Sequence, residues 1–119
     1  MPRVLIVEDE PTVRDPLRET LSHDYECRAV GTAEEGLELL ASGGFDVAIT
    51  DVKLPGLSGG EFLLRAHELA PSLPVIVVTG ADSDEAKFIA EGAFGYVLKP
   101  FRFEEVEELV RRAAGDNNS

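Results

Sequence analysis

Short runs of branched apolar residues recur along this chain, and the feature that most restricts its fold is where they stop. Val4-Leu5-Ile6-Val7 ends at Glu8-Asp9, Val47-Ala48-Ile49-Thr50 at Asp51, Val75-Ile76-Val77-Val78 at Thr79, and Tyr96-Val97-Leu98 at Lys99-Pro100. Runs this continuous, with no polar alternation, fit strands covered on both faces. A further run, Glu26 to Val30, is interrupted by Arg28, which suits an edge.

Between the runs the apolar spacing is helical. Thr32-Ala33-Glu34-Glu35 reads as a capping box ahead of Leu37, Leu40 and Ala41, with Gly43-Gly44 as the stop. Phe62, Leu63, Ala66 and Leu69 make a second stripe, closed before Pro71. Phe103, Val106, Leu109, Val110 and Ala113 make a third, with Arg111 and Arg112 in the last turn, where the helix dipole favours cations. The first helix opens at Pro11 and carries Val13, Leu17 and Leu21, but Pro16 lies inside it. Lacking an amide to bond back toward Thr12, Pro16 is expected to kink that helix or delay its regular part. A short alanine-rich helix is expected from about Asp84 to Glu91, capped by Ser83 and ended by Gly92. Few large side chains anchor it, so it is expected to shift cheaply, with Phe88 turned outward toward a partner.

Alternating β and α elements with short connections imply a doubly wound parallel sheet with helices on both faces. Ligands of such sheets bind beyond the carboxyl ends of the strands, the edge at which all the polar run-ends collect. The chain length of 119 residues fits one domain. Its net charge of -12 sets it against phosphate backbones and anionic lipid, so neither direct nucleic-acid binding nor membrane association is expected. Cys27 has no partner for an internal disulfide and no leader-like segment opens the sequence, which points to a cytoplasmic location. Cys27 is expected as a small buried hydrophobe and His23 and His67 as exposed. Gly31, Gly36 and Gly59-Gly60 are expected to serve backbone geometry, since no Gly-rich phosphate loop follows the first strand.

At the shared edge, Glu8, Asp9 and Asp51 would bring three negative charges together. A hard divalent cation relieves their repulsion, and Mg2+ suits an oxygen-only set with no Cys or His nearby. Lys99 and Thr79 add an ammonium and a hydroxyl, which completes a cradle for a phosphoryl group. The central carboxylate, Asp51, is then the nucleophile, and an aspartyl phosphate would give Thr79 and Lys99 partners that the free carboxylate lacks, which makes a switch. Singly, each group has an ordinary reading: Asp51 capping a turn, Thr79 bonded to backbone, Lys99 on the surface. Their joint placement argues against those readings.

Val7-Glu8-Asp9-Glu10-Pro11, Thr50-Asp51-Val52-Lys53-Leu54-Pro55-Gly56, Val78-Thr79-Gly80 and Leu98-Lys99-Pro100-Phe101 together resemble, in order and spacing, the motifs of the response-regulator receiver domain of two-component signalling. The likeness covers essentially residues 1–119, with 115–119 as a tail or the start of a linker. It implies a flavodoxin-like five-stranded sheet of order 2-1-3-4-5. It also implies Mg2+-dependent phosphotransfer to Asp51 from a sensor histidine kinase or a histidine phosphotransfer protein. By the same resemblance Asp9, Asp51 and the backbone carbonyl of Lys53 would be direct metal ligands, Glu8 would act through water, and Thr79 and Lys99 would contact phosphoryl oxygens. Thr79 and Tyr96 would form a coupled switch pair, and Lys99-Pro100 would be a cis peptide that aims the lysine into the site.

The sequence departs from the family pattern at Gly80, where many members have alanine, and at Pro16. By the same resemblance Lys53 and Ala81 would stand where side chains can shield or assist the hydrolytic water. The expected readers of the switched surface, residues 83–101, are a downstream protein, an attached output domain, or a second copy pairing through residues 83–112. The chemistry is self-directed, so the chain is not expected to be an enzyme. The rival readings are a Mg2+-dependent aspartyl-phosphate phosphatase or phosphotransferase, which usually needs a second acid where Lys53 stands, and an interaction module that works without phosphorylation.

Overall fold

The structure, a computed structural model, describes residues 1–115 apart from 53, 55, 58 and 81–90. Five strands pair in parallel: β1 (Arg3–Val7), β2 (Glu26–Val30), β3 (Val47–Asp51), β4 (Val75–Thr79) and β5 (Gly95–Leu98), in the order β2-β1-β3-β4-β5. Four helices are described: α1 (Pro11–Leu21), α2 (Ala33–Ala41), α3 (Gly59–Leu69) and α4 (Phe103–Ala113). The doubly wound architecture expected from the run-ends is therefore present, with the Arg28-bearing strand at one edge. Of the short helix expected from about Asp84 to Glu91, all but Glu91, which lies in a turn, falls outside the described residues, Phe88 included, as do Ser83, Lys53 and the tail 116–119. No described helix is long and apolar enough to cross a membrane.

Strand alternation sorts the apolar residues into two cores. Val4, Ile6, Val47, Ile49, Ile76 and Val78 face one way and meet Leu17 and Leu21 of α1 and Val106 and Val110 of α4. Leu5, Val7, Ala48 and Val75 face the other way and meet Ala33 and Leu40 of α2 and Phe62, Leu63 and Ala66 of α3. Because both sheet faces are covered, the central strands carry no polar side chain between Arg3, which opens β1, and their last residues. That is why polar chemistry is confined to the strand ends.

Several local expectations are corrected. α1 is helical from Pro11 onward in spite of Pro16, so its regular part is not delayed. The acceptor that proline leaves without its helical bond is the carbonyl of Thr12, an exposed residue in the first turn, which is open to solvent. Ala41 and Leu69 are exposed, because each helix ends there and turns its last apolar residue off the sheet. Cys27 is only half-buried, as an edge strand allows. His67 is half-buried too, its imidazole filling the space where a side chain on Gly92, at φ 96°, would stand.

Gly36 answers to packing instead of to backbone geometry. A Cβ there would lie 2.8 Å from Val7 Cγ2 and 3.0 Å from Phe62 Cε1, so the glycine lets α2 sit down on the sheet. Helix propensity alone would make Gly36→Ala stabilising by about 1 kcal/mol. Overpacking costs about 1–3 kcal/mol, so the expected net effect in urea unfolding is a loss of about 1 kcal/mol. A gain in stability would show that the contact yields freely.

Candidate functional site

The sheet register sets the site. Val7 is level with Thr50, Asp51 with Val78, and Thr79 with Leu98. Glu8, Asp51, Thr79 and Lys99 therefore emerge at one edge, from four neighbouring strands. Backbone bonds past the ladder ends hold them there: the Glu8 amide donates to the Val30 carbonyl at 3.0 Å, and the Lys99 amide to the Thr79 carbonyl at 2.8 Å. The Lys99-Pro100 peptide is cis, as expected.

Lys99 Nζ is the hub. It lies 2.7 Å from Asp51 Oδ2, 3.1 Å from Glu8 Oε1 and 3.3 Å from Glu10 Oε1. The other Asp51 oxygen, Oδ1, accepts the Val52 amide at 2.6 Å, and Glu8 Oε2 accepts the Glu10 amide at 3.2 Å. Glu8, Asp51 and Thr79 are buried, while Asp9 and Glu10 are exposed. One oxygen each from Glu8, Asp9 and Asp51 lies within 4.8 Å of the others, close enough to share one cation. The donors are all hard carboxylate oxygens, which fits Mg2+ or a similar ion.

The contact between Glu10 and Lys99 went unread in the sequence, although Glu10 stands within the acidic run. The signal that could have found it is an acid at a helix-opening position where Ser, Thr, Asp or Asn is the usual capping residue. Tyr96 is half-buried in β5 opposite Val77, and the Lys53 carbonyl lies outside the described residues.

Electrostatics follows from depth. Burial, reinforced by the Asp51 charge, pushes the Glu8 carboxyl up to about 7, in spite of its hydrogen bond from Lys99. Burial works against the Lys99 charge, but its hydrogen bonds to Asp51 and Glu8 outweigh that and hold the ammonium well above the usual lysine range. In the metal-free domain Glu8 is thus half-protonated near neutrality. A folded pKa raised above the unfolded value means the native state binds the extra proton between about pH 4.5 and 7. Its contribution therefore favours folding less as pH rises through that window, by up to ~3 kcal/mol. Binding of a divalent cation must release the proton, so apparent Mg2+ affinity should climb from pH 6 to 8 and then flatten, an order-of-magnitude window around that raised value. Calorimetric titration in buffers of different ionisation enthalpy checks this. Glu8→Gln should remove the proton release, and release that persists in the variant would assign it elsewhere.

Comparison with known proteins agrees with this geometry. The sequence profile described as "Response regulator receiver domain" matches residues 4–111. Among curated relatives, the chain is 38% identical to the uncharacterized transcriptional regulatory protein YkoG of Bacillus subtilis, over 98% of this chain and 52% of that protein. It is 36% identical to the two-component response regulator PhoP of Pseudomonas aeruginosa, over 95% and 53%. The chain thus spans about half the length of these relatives. Among solved structures, a CheY-like response regulator receiver domain protein from Methanospirillum hungatei superposes with a TM-score of 0.91 at 32% identity, covering 99% of this chain and 97% of that one. The response regulator TrrA of Thermotoga maritima, in complex with Mg(2+)-BeF, gives 0.86 at 32% identity, covering 95% and 99%.

Proposed function

The chain belongs to the response-regulator receiver family of two-component signalling, and from that premise we propose that Asp51 accepts a phosphoryl group from the phosphohistidine of a sensor histidine kinase or a histidine phosphotransfer protein. The observation that carries the proposal is the 2.7 Å pairing of Lys99 Nζ with Asp51 Oδ2 across 48 positions of sequence, beside two further carboxylates. A buried aspartate held between an ammonium and a cation-binding cluster is poised to attack phosphorus and to have its product neutralised.

In this reading an Asp51 carboxylate oxygen bonds to phosphorus as the P–N bond to the donor imidazole breaks, the nitrogen leaving with the electron pair. Glu8, Asp9, Asp51 and the Lys53 carbonyl would hold Mg2+, which supplies charge neutralisation at the phosphoryl oxygens. Lys99 gives up Asp51 Oδ2 for a phosphoryl oxygen. Thr79, one position past the residue level with Asp51, offers its hydroxyl to another. The pull on Thr79 opens space for Tyr96, so the added charge becomes a change of surface over 83–101. A downstream protein, an attached output domain or a second copy docking through 83–112 would read that change. The charge of -12 favours protein readers over direct nucleic-acid contact by these residues.

Intact mass after incubation with Mg2+ and acetyl phosphate or phosphoramidate tests the proposal. One labile phosphoryl group is expected on the parent and none on Asp51→Asn. Steady release of inorganic phosphate from an added phosphate ester would instead mark a phosphatase.

A further inference from the structure

Glu10 occupies the N-cap of α1, with φ -90° and ψ 111°, yet its side chain caps nothing. Its backbone carbonyl takes the amides of Val13 and Arg14, at 3.0 and 2.8 Å, while the carboxylate crosses to Lys99, 89 positions away, at 3.3 Å. Glu8 and Asp51, the other acids on Lys99, have side chains only 5% and 7% exposed, against 58% for Glu10. Glu10 is thus the solvent-facing member of the Lys99 cluster. It also lines a largely apolar cleft of about 400 Å³ with Val13, Lys99, Pro100, Phe101 and Phe103. Asp9 and Glu10 are the exposed acids beside the pair formed by Asp51 and Lys99, and Asp9 belongs to the cation cluster.

From this geometry we infer that Glu10 is a charge gate, a specificity-determining residue that disfavours highly charged free phosphodonors relative to a phosphohistidine delivered by a docked protein. The inference rests on Asp51 being the phosphoacceptor. A fixed negative charge at the mouth repels an incoming dianion more than a monoanion. A docked protein can offset the repulsion with its own basic side chains, and a free small molecule cannot. At ~8 Å in water the repulsion between one fixed charge and a dianion is worth a factor of about five, and that with a monoanion a factor of about two.

The test compares acetyl phosphate, a dianion near neutrality, with phosphoramidate, a monoanion, at saturating Mg2+. In the first reaction the bond from Asp51 to phosphorus forms as the P–O bond to acetate breaks and acetate leaves with the electron pair. In the second the P–N bond breaks and the already protonated nitrogen leaves as ammonia. Glu10→Gln should speed phosphorylation by acetyl phosphate about fivefold and by phosphoramidate about twofold or less, and the advantage should fade as salt rises toward 1 M and the screening length falls to about 3 Å. Glu10→Asp, which keeps the charge but shortens the reach to Lys99, should stay near the parent with both donors. Equal acceleration with both donors, no acceleration, or a Glu10→Asp variant that behaves as Glu10→Gln overturns the gate. The last result would make Glu10 a tether on Lys99. If the parent itself takes up no phosphate from either donor, the phosphoacceptor reading falls first and the gate with it.

Discussion

Lys99→Ala should cost the metal-free domain about 3 kcal/mol at pH 8, the lower end of what loss of one partner does to a buried ion pair. The side chain faces three carboxylates, two of them buried. Removing the ammonium leaves the buried Asp51 and Glu8 carboxylates facing each other without the Lys99 counter-charge. The value sits at the low end because the Lys99 side chain is itself 17% exposed and a carboxylate can take a proton instead. Glu8 already titrates near 7, so the deficit should shrink as the pH is lowered to 5. Mg2+ should narrow it as well, since a cation on Glu8, Asp9 and Asp51 supplies the missing charge and binds only the folded state. Urea unfolding at the two pH values, with and without Mg2+, measures both effects. Lys99→Met, which keeps the alkyl stem, should behave as Lys99→Ala does. A loss in Lys99→Ala that is the same at both pH values and indifferent to Mg2+ would falsify the electrostatic account and leave lost packing of the stem.

Phe62→Ala should cost about 3–5 kcal/mol, a large part of the stability of a domain this size. Phe62 is the largest fully buried side chain among the described residues, and it joins α3 to α2 and the sheet. Together with Val7 Cγ2, its ring edge keeps position 36 a glycine. The two sites should therefore couple. In a Phe62→Leu background the Gly36→Ala substitution should lose most of its penalty, a coupling of about 1 kcal/mol from a double-mutant cycle. Strict additivity would mean that Val7 alone bars the Cβ. Either way the loss should appear in folding, with the phosphoryl uptake proposed for Asp51 retained in whatever fraction stays folded.

Much of the site was legible because strand ends are legible. Glu8-Asp9, Asp51, Thr79 and Lys99 each follow an apolar run, and parallel pairing brings like ends to one edge. Helix faces were read with one recurring error. Ala41 and Leu69 have the right spacing but fall in final turns, where the helix leaves the sheet. For a related reason Pro16 did not delay the helix: its penalty depends on what surrounds the carbonyl it deprives, and that carbonyl belongs to an exposed residue.

The amino-acid order alone determined the strands, their polar ends, the edge position of β2 and hence the gathering of an acidic cluster with Lys99, since periodicity and run length are local properties carried along the chain. Tertiary structure alone decided that Glu8 is buried while Asp9 and Glu10 are exposed, that Lys99 closes on Asp51 at 2.7 Å while also holding Glu10, and that position 36 has no room for a methyl group. Depth, and therefore the work of desolvating a charge, depends on atoms brought in from distant parts of the chain, and no local pattern encodes that.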